Sequence, residues 1–366
     1  MSHQIIKKIK IRGWQAISAV VPTHPFDDSS FYSPFGDDTT TAMLPKSKIK
    51  PPATGWCSWY ALGTNISEEK ILANARFIAK HPKDLPLKYL IIDDGWRPWG
   101  DWQSGDSAKF PRGLKPVAQD IKKLGLKPGL WIAPFIADTT SIIYREHPNW
   151  FLRDHKGKLV YAHNGFDFVP DFIWHKAYVL NYDHPEVEKY LHASLDIILG
   201  DWQFDLIKLD FLAAIYFDPH LKTPRIPHHY LRKLLTYITK TYPHVYRMIG
   251  TAPVKPCLGL ADSIRISNDI VIPQLENNWP LNAIVHWQRL DQLGKNLIAR
   301  KDMADFIALD PDVMVCRQTL GFSDEQILWL QTIINEVPNG LKFLGDDLPS
   351  LPWDRIQKFI LPLFRF

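Results

Sequence analysis

The chain carries only three cysteines in 366 residues, Cys57, Cys257 and Cys316, and their spacing fits neither a disulfide framework nor a zinc pattern. It opens with no signal-peptide pattern, and no apolar run approaches the length that crosses a bilayer. Charge of one sign is scarce. Lys and Arg number 43 against 39 Asp and Glu, a formal net charge of +4, with no basic stripe of the kind nucleic-acid binding needs. The early run Lys7-Lys8-Ile9-Lys10-Ile11-Arg12 reads as a solvated strand or arm. These absences argue against membrane, nucleic-acid and disulfide-scaffold roles and leave a soluble cytoplasmic protein as the expectation.

What is present points to a large globular enzyme. Hydrophobic residues make up 46% and charged residues 22%, near the average for folded domains. The length suits one α/β barrel of about 250 residues plus additions. Aromatics are the deviation: 14 Trp, many beside Gly, Asp or Pro rather than inside apolar runs. Aromatic-rich loops suit stacking on sugar faces, and large cores use Trp as well.

Residues 1–53 read as an arm or cap. Pro22, Pro25, Pro34, Pro45, Pro51 and Pro52, with acidic and hydroxyl clusters between them, favour loop. From Thr54 a strand–helix alternation begins and runs to the end of the chain, so 54–366 is expected to be one barrel. The expected strands are 55–60, 89–94, 128–135, 205–211, 245–250, 263–267, 313–316 and 341–344. Helices are expected over 68–80, capped by Ser67, and over 114–124, 185–199, 230–242, 287–306, 324–336 and 353–361. Region 136–185 is too long for a simple connection. Only 12 residues separate Gly250 from Ser263, so the fifth helix should be vestigial. Eight strands alternating with helices call for a closed (β/α)8 TIM barrel. His228-His229, after Pro227, reads as a solvent-facing loop.

In this register carboxylates collect at strand C-termini, the end where barrel chemistry is done. Asp93 and Asp94 end strand two, Asp210 ends strand four, Asp269 follows strand six, and Asp346-Asp347 follow strand eight. Lys208 and Asp210 lie two residues apart, hence on one face, and the lysine would hold the carboxylate charged as a nucleophile requires. Strands four and six flank strand five, so Asp210 and Asp269 should face one another. Retaining glycosidases place two carboxyls about 5–5.5 Å apart, one as nucleophile and one as acid/base. The competing reading makes both Lys208–Asp210 and Arg265–Asp269 ordinary ion pairs. For Asp93-Asp94, a strand-end cation site is the alternative, but no histidine cluster lies nearby to support a metal.

Several segments together carry a resemblance: Gly55-Trp56-Cys57-Ser58-Trp59-Tyr60, Ile92-Asp93-Asp94-Gly95-Trp96, Gly100-Asp101-Trp102, Lys109-Phe110-Pro111-Arg112-Gly113-Leu114-Lys115, Pro128-Gly129-Leu130-Trp131-Ile132-Ala133-Pro134-Phe135, His147-Pro148-Asn149-Trp150, Lys208-Leu209-Asp210-Phe211 and Arg265-Ile266-Ser267-Asn268-Asp269. They resemble glycoside hydrolase family 36, the microbial α-galactosidases of the melibiase superfamily, related to the raffinose synthases. Matches continue in order to Gly345-Asp346-Asp347-Leu348. The resemblance implies a retaining mechanism with Asp210 as nucleophile and Asp269 as acid/base. It places Asp93 and Asp94 on sugar hydroxyls, Lys208 and Arg265 beside the reacting ring, and Trp56 and Trp131 along the pocket. It implies an oligosaccharide substrate and is compatible with an oligomer; with no ligand cluster visible and two carboxylates sufficient for the chemistry, no cofactor and no metal are expected.

Typical members also carry an N-terminal β-sandwich and a C-terminal β-domain, which this chain is expected to lack. Where the family usually reads Gly-Cys-Gly-Ala-Pro after strand five, this chain has Ile249-Gly250-Thr251-Ala252-Pro253. The leading function is hydrolysis of terminal α-galactosides. The alternatives are another retaining α-glycosidase or galactosyl transferase (an α-N-acetylgalactosaminidase or raffinose synthase-like enzyme), a non-catalytic sugar-binding barrel, and a metal-dependent barrel hydrolase.

Overall fold

The computed structural model describes residues 50–162, 176–220 and 225–365. The expected arm lies outside them except for residues 50–53. The main sheet is built from β1 (Thr54–Cys57), β2 (Tyr89–Ile92), β3 (Lys127–Ile132), β6 (Leu206–Leu209), β7 (Tyr246–Ile249), β8 (Ser263–Arg265), β9 (Ala308–Asp310), β10 (Val313–Met314) and β11 (Lys342–Leu344). A separate antiparallel ribbon pairs β4 (Ile136–Asp138) with β5 (Ala177–Val179). All pairings in the main sheet are parallel, in the order β10-β11-β1-β2-β3-β6-β7-β8-β9.

The two ends of that order are halves of one chain segment. β9 pairs with β8, and β10, two residues later, pairs with β11. Leu309 also bridges to Gly340, and the Leu341 N–H donates to Leu309 O at 2.9 Å. The sheet therefore closes on itself as a (β/α)8 barrel whose seventh strand is broken. The break has a local cause: Pro311 offers no N–H, and Asp312 takes a left-handed φ of 81°. The sequence places strand seven at 313–316; it starts at Ala308, hidden by that Asp-Pro-Asp interruption.

Among the described residues six longer helices cover the barrel: α1 (Glu68–Lys80), α2 (Leu114–Lys123), α3 (Pro185–Leu195), α4 (Arg225–Thr241), α5 (Leu281–Arg300) and α6 (Asp324–Glu336). α1 shows why they form. Ser67 caps it by accepting from Lys70 N, Glu68 and Glu69 occupy the first turn, and Ile71, Leu72, Ala75 and Ile78 recur on one buried face. α6 has a full capping box between Ser323 and Gln326, worth about 1 kcal/mol. Between β7 and β8 the connection holds only the short turn Lys255–Cys257, as the 12-residue spacing requires.

Two other expectations change. The chain leaves β1 at Cys57 and coils into a short helix, Ser58–Leu62, so Ser58, Trp59 and Tyr60 are not strand residues. His228 and His229 lie within α4 rather than in a loop, because Pro227 is tolerated in the first helical turn. His229 is exposed and His228 only half-buried.

The tryptophans divide the same way. Trp56, Trp96, Trp99, Trp102 and Trp131 are all at most 2% exposed. Trp96, Trp99, Trp102 and Trp131 pack with ring centroids 5.6–6.1 Å apart over the C-terminal ends of β2 and β3. These four rings form a packed floor for the barrel mouth.

Candidate active site

The mouth is assembled from the segments that leave the C-terminal ends of β2, β6, β7, β8 and β9. At the end of β2, Asp93 is buried. Its Oδ2 accepts from Lys208 Nζ at 2.7 Å and from the Cys57 thiol at 3.2 Å, and its Oδ1 accepts from Asp94 N at 2.9 Å. Asp94 Oδ1 accepts from Gly95 N at 2.6 Å and from the Trp99 indole at 2.7 Å. The two carboxyls are thus fixed by donors from β1, β6 and their own loop.

Lys208 corrects an expectation. It shares a strand face with Asp210, but its hydrogen bond and ion pair go to Asp93, across the intervening β3. Burial alone would lower its pKa; the Asp93 carboxylate outweighs that and raises it, with smaller contributions from Cys57 and Asp210. Lys208 therefore stays charged.

Asp210 is held by other groups. Its Oδ1 accepts from Phe211 N at 2.8 Å, Thr251 N at 3.1 Å and Thr251 Oγ1 at 3.2 Å; its Oδ2 accepts from the Trp131 indole at 3.2 Å. Phe211 adopts a left-handed φ of 51° to aim its N–H back at the carboxylate. Gly250 makes room. A Cβ there would lie 2.4 Å from Asp210 Oδ1 and 2.7 Å from its Cγ. The pentapeptide that departs from the family pattern thus supplies both the clearance and two of the four donors.

Asp269 follows β8. The Tyr60 hydroxyl and Arg265 Nη1 both donate to its Oδ1 at 2.9 Å, and Arg289 Nη1 donates to its backbone O at 2.7 Å. Its side chain is 40% exposed. Desolvation pushes its pKa up, but Arg265, with Lys208, Arg289 and the Tyr60 hydrogen bond, more than offsets this and holds it below the usual carboxylate range. Arg265 also donates through Nε to Asp310 Oδ2 at 3.0 Å and places Nη2 3.1 Å from Asp312 Oδ1. One guanidinium serves three carboxyls. Burial opposes its charge, and Asp310 and Asp312 prevail, raising its pKa.

Trp131 therefore touches Asp210 directly, whereas Trp56 backs the site, fully buried with its indole donating to Asp346 O at 2.7 Å. Asp346 is occupied by Cys316 N at 2.6 Å and Arg317 Nη1 at 2.8 Å, and Asp347 accepts from Asn74 of α1. Neither joins the cluster around Asp210 or Asp269. Sequence reasoning missed Tyr60, Thr251, Arg289, Asp310 and Asp312. The signals were faint: a tyrosine closing an aromatic motif, a threonine in a divergent loop, an acidic pair around a proline. Among the described residues no group of three or more His, Cys, Asp or Glu is arranged to hold a metal. Among them also, no helix is long and apolar enough to cross a membrane.

A closed parallel barrel with carboxyls, a buried lysine and a largely buried arginine converging at its C-terminal mouth is the arrangement on which barrel enzymes build their sites. Within that class the particular lineage is clear. The chain belongs to the melibiase family, whose model matches residues 56–248, more than half of its length. It is 29% identical over 227 residues to a probable α-galactosidase C of Aspergillus flavus, covering 55% of this chain and 27% of that protein. It is 28% identical to an α-galactosidase of Escherichia coli over 46% of this chain and 22% of that one. The matches thus span about a quarter of these curated relatives' own length.

Among solved structures, the α-galactosidase of Thermus thermophilus in complex with p-nitrophenyl α-D-galactopyranoside superposes with a TM-score of 0.70 at 27% identity, over 87% of this chain and 63% of that one. The same enzyme has been solved with stachyose. A family 36 α-galactosidase of Geobacillus stearothermophilus shares the fold, with a TM-score of 0.60 at 18% identity over 87% of this chain and 42% of that one.

Proposed function

We propose that the chain is a retaining α-galactosidase acting on terminal α-galactosides, with Asp210 as nucleophile and Asp269 as acid/base. The observation that carries this reading is the setting of Asp210: four donors on a carboxylate at the end of a central barrel strand, beside a glycine that admits it. Oδ1 takes three of those donors and Oδ2 only the indole, so Oδ2 is the oxygen that bonds the sugar's anomeric carbon. As that bond forms, the glycosidic C–O bond breaks, and its electron pair leaves with the aglycone oxygen, which takes a proton from Asp269. Water then attacks the anomeric carbon, gives its proton to Asp269, and returns Asp210 as a carboxylate. Asp93 and Asp94 present fixed acceptors to ring hydroxyls, including the axial 4-hydroxyl that separates galactose from glucose. Lys208 and Arg265 keep positive charge beside them.

The complexes of the Thermus thermophilus enzyme with an aryl α-galactoside and with stachyose support this substrate class for the present chain. We take 54–366 as the catalytic unit. Buried free thiols at Cys57, Cys257 and Cys316 support a reducing, cytoplasmic setting. The test is a panel of aryl α-glycosides: galactoside, N-acetylgalactosaminide and glucoside. The galactoside should turn over fastest, and Asp210→Gly should abolish that turnover while remaining folded. A preference for another sugar, or an active Asp210→Gly protein, would overturn the reading.

A further inference from the structure

An acid/base must begin each cycle protonated, yet Asp269 has three cationic side chains around it, Arg265, Lys208 and Arg289, which favour its anion. Something in the site must work against them. Asp312 stands at the break in the seventh barrel strand, buried, its backbone at φ 81° where most residues are strained. It touches the acid/base assembly twice. Its Oδ2 accepts from Ile270 N at 2.6 Å, the peptide following Asp269, and its Oδ1 lies 3.1 Å from Arg265 Nη2, the other terminal nitrogen of the guanidinium that donates to Asp269. Among the described residues no hydrogen-bond donor is aligned on that Oδ1. On Asp269, likewise, both side-chain donors fall on Oδ1.

We propose that Asp312 is a positioning residue for the acid/base, clamping Arg265 and the Asp269–Ile270 peptide while its negative charge holds a proton on the Asp269–Asp312 pair. This rests on Asp269 being the acid/base. The groups facing Asp312 are Arg265 from β8, Asp269 beyond it, Asp310 from β9 and Tyr60 from the 58–62 helix; those facing Asp269 are Arg265, Lys208, Arg289 and Tyr60. Burial pushes Asp312 up to about 7; Arg265 and the Tyr60 hydroxyl oppose this, and Asp269 and Asp310 reinforce it. Two carboxyls coupled through one guanidinium titrate as a pair, so the pH at which the last proton leaves belongs to both. Removing the charge of Asp312 leaves Asp269 alone with its cations, and the proton then departs at lower pH.

The test is Asp312→Asn. Asparagine tolerates the left-handed backbone, and its side-chain oxygen can still accept from Ile270 N. The basic limb of the kcat/KM profile should move to lower pH by about one unit or more for raffinose, whose leaving group needs a proton. For p-nitrophenyl α-galactoside, which needs little protonation, it should move much less. A loss of rate at every pH with the limb unmoved, or equal displacement for both substrates, would show a merely structural residue. Should the variant not fold, 13C-aspartate NMR of the unsubstituted protein still decides the matter. Two linked carboxyl titrations, one near neutral pH, are expected, and the absence of any near-neutral titration overturns the proposal. Asp269→Gly separates the two readings. If it hydrolyses raffinose at full rate, Asp269 is not the acid/base; if it loses raffinose but still releases nitrophenol from the aryl substrate in the first step while Asp312→Asn leaves the limb in place, only the role of Asp312 fails.

Discussion

Lys208 Nζ lies 2.7 Å from Asp93 Oδ2, with both side chains buried at the ends of strands that are not neighbours. β3 runs between β2 and β6, so this ion pair braces one side of the mouth. Removing one member of a buried pair leaves the other charge uncompensated, which costs about 3–5 kcal/mol. Lys208→Met should therefore lower unfolding stability in denaturant by that order, and adding Asp93→Asn should recover part of the loss. A Lys208→Met protein as stable as the parent would mean that the pair is not closed in solution.

Gly250→Ala tests the clearance around Asp210. The new methyl would sit 2.4 Å from Asp210 Oδ1, so the carboxylate must swing away from Thr251. A displaced reacting group can cost about 100-fold in rate, whereas overpacking costs about 1–3 kcal/mol in stability. The kcat for an aryl galactoside should fall about 100-fold or more while the protein stays folded by circular dichroism. Unchanged kcat would remove Asp210 from the reaction. Thr251→Ser, which keeps the hydroxyl, should retain far more activity than Thr251→Val.

The outline of this fold was legible because its signals are local. Ser67 followed by Glu68 and Glu69 marks the start of α1, and short apolar runs such as Tyr89–Ile92, closed by Asp93-Asp94-Gly95, read as strands. Several strand-end charges of the candidate site were legible, but their pairings were not. Lys208 and Asp210 share a strand face, which suggested a partnership. Which carboxylate a barrel lysine meets depends on strands far away in sequence, however, and Asp93 is 115 positions distant. Asp312 escaped notice because a strand broken by proline has too few consecutive residues to show a period. Tyr60 escaped because its motif continues the apolar character of β1 although the backbone has already turned into a helix.

A second titratable group sets an acid limit on stability. His286 is fully buried in α5; its Nε2 accepts from Ile272 N at 3.0 Å, so Nδ1 carries the hydrogen donated to Leu320 O at 2.9 Å. Burial lowers its pKa to about 4, from 6.5, with Arg289 and Arg317 adding to the shift. Between those values the unfolded chain binds the proton and the folded one does not. The stability His286 contributes is therefore present above pH 6.5 and drains away as pH falls toward 4, by roughly 3 kcal/mol. His286→Gln should show a smaller drop in melting temperature across that window than the parent protein. Parallel curves would place the proton elsewhere.

The roles proposed for Asp210 and Asp269 differ although their side chains are the same, and azide tests that division by product geometry. In Asp210→Gly the β-face of the anomeric carbon is vacant. Azide can enter there, displace the aglycone in one step, and give the β-galactosyl azide of inverted configuration. In Asp269→Gly the nucleophile remains, so a substrate with a good leaving group still forms the galactosyl-enzyme, because it needs little protonation. Release of the sugar from Asp210 then lacks its base, and azide, which needs none, attacks from the opposite face to give the α-product. The surroundings fit this division: Asp210 is locked by four donors from fixed groups, while Asp269 is 40% exposed, where an aglycone and then a water can reach it. NMR of the azide products reads the outcome from the anomeric coupling constant. Exchanged configurations between the two variants would reverse the assignment, and full activity in both without azide would end the glycosidase reading.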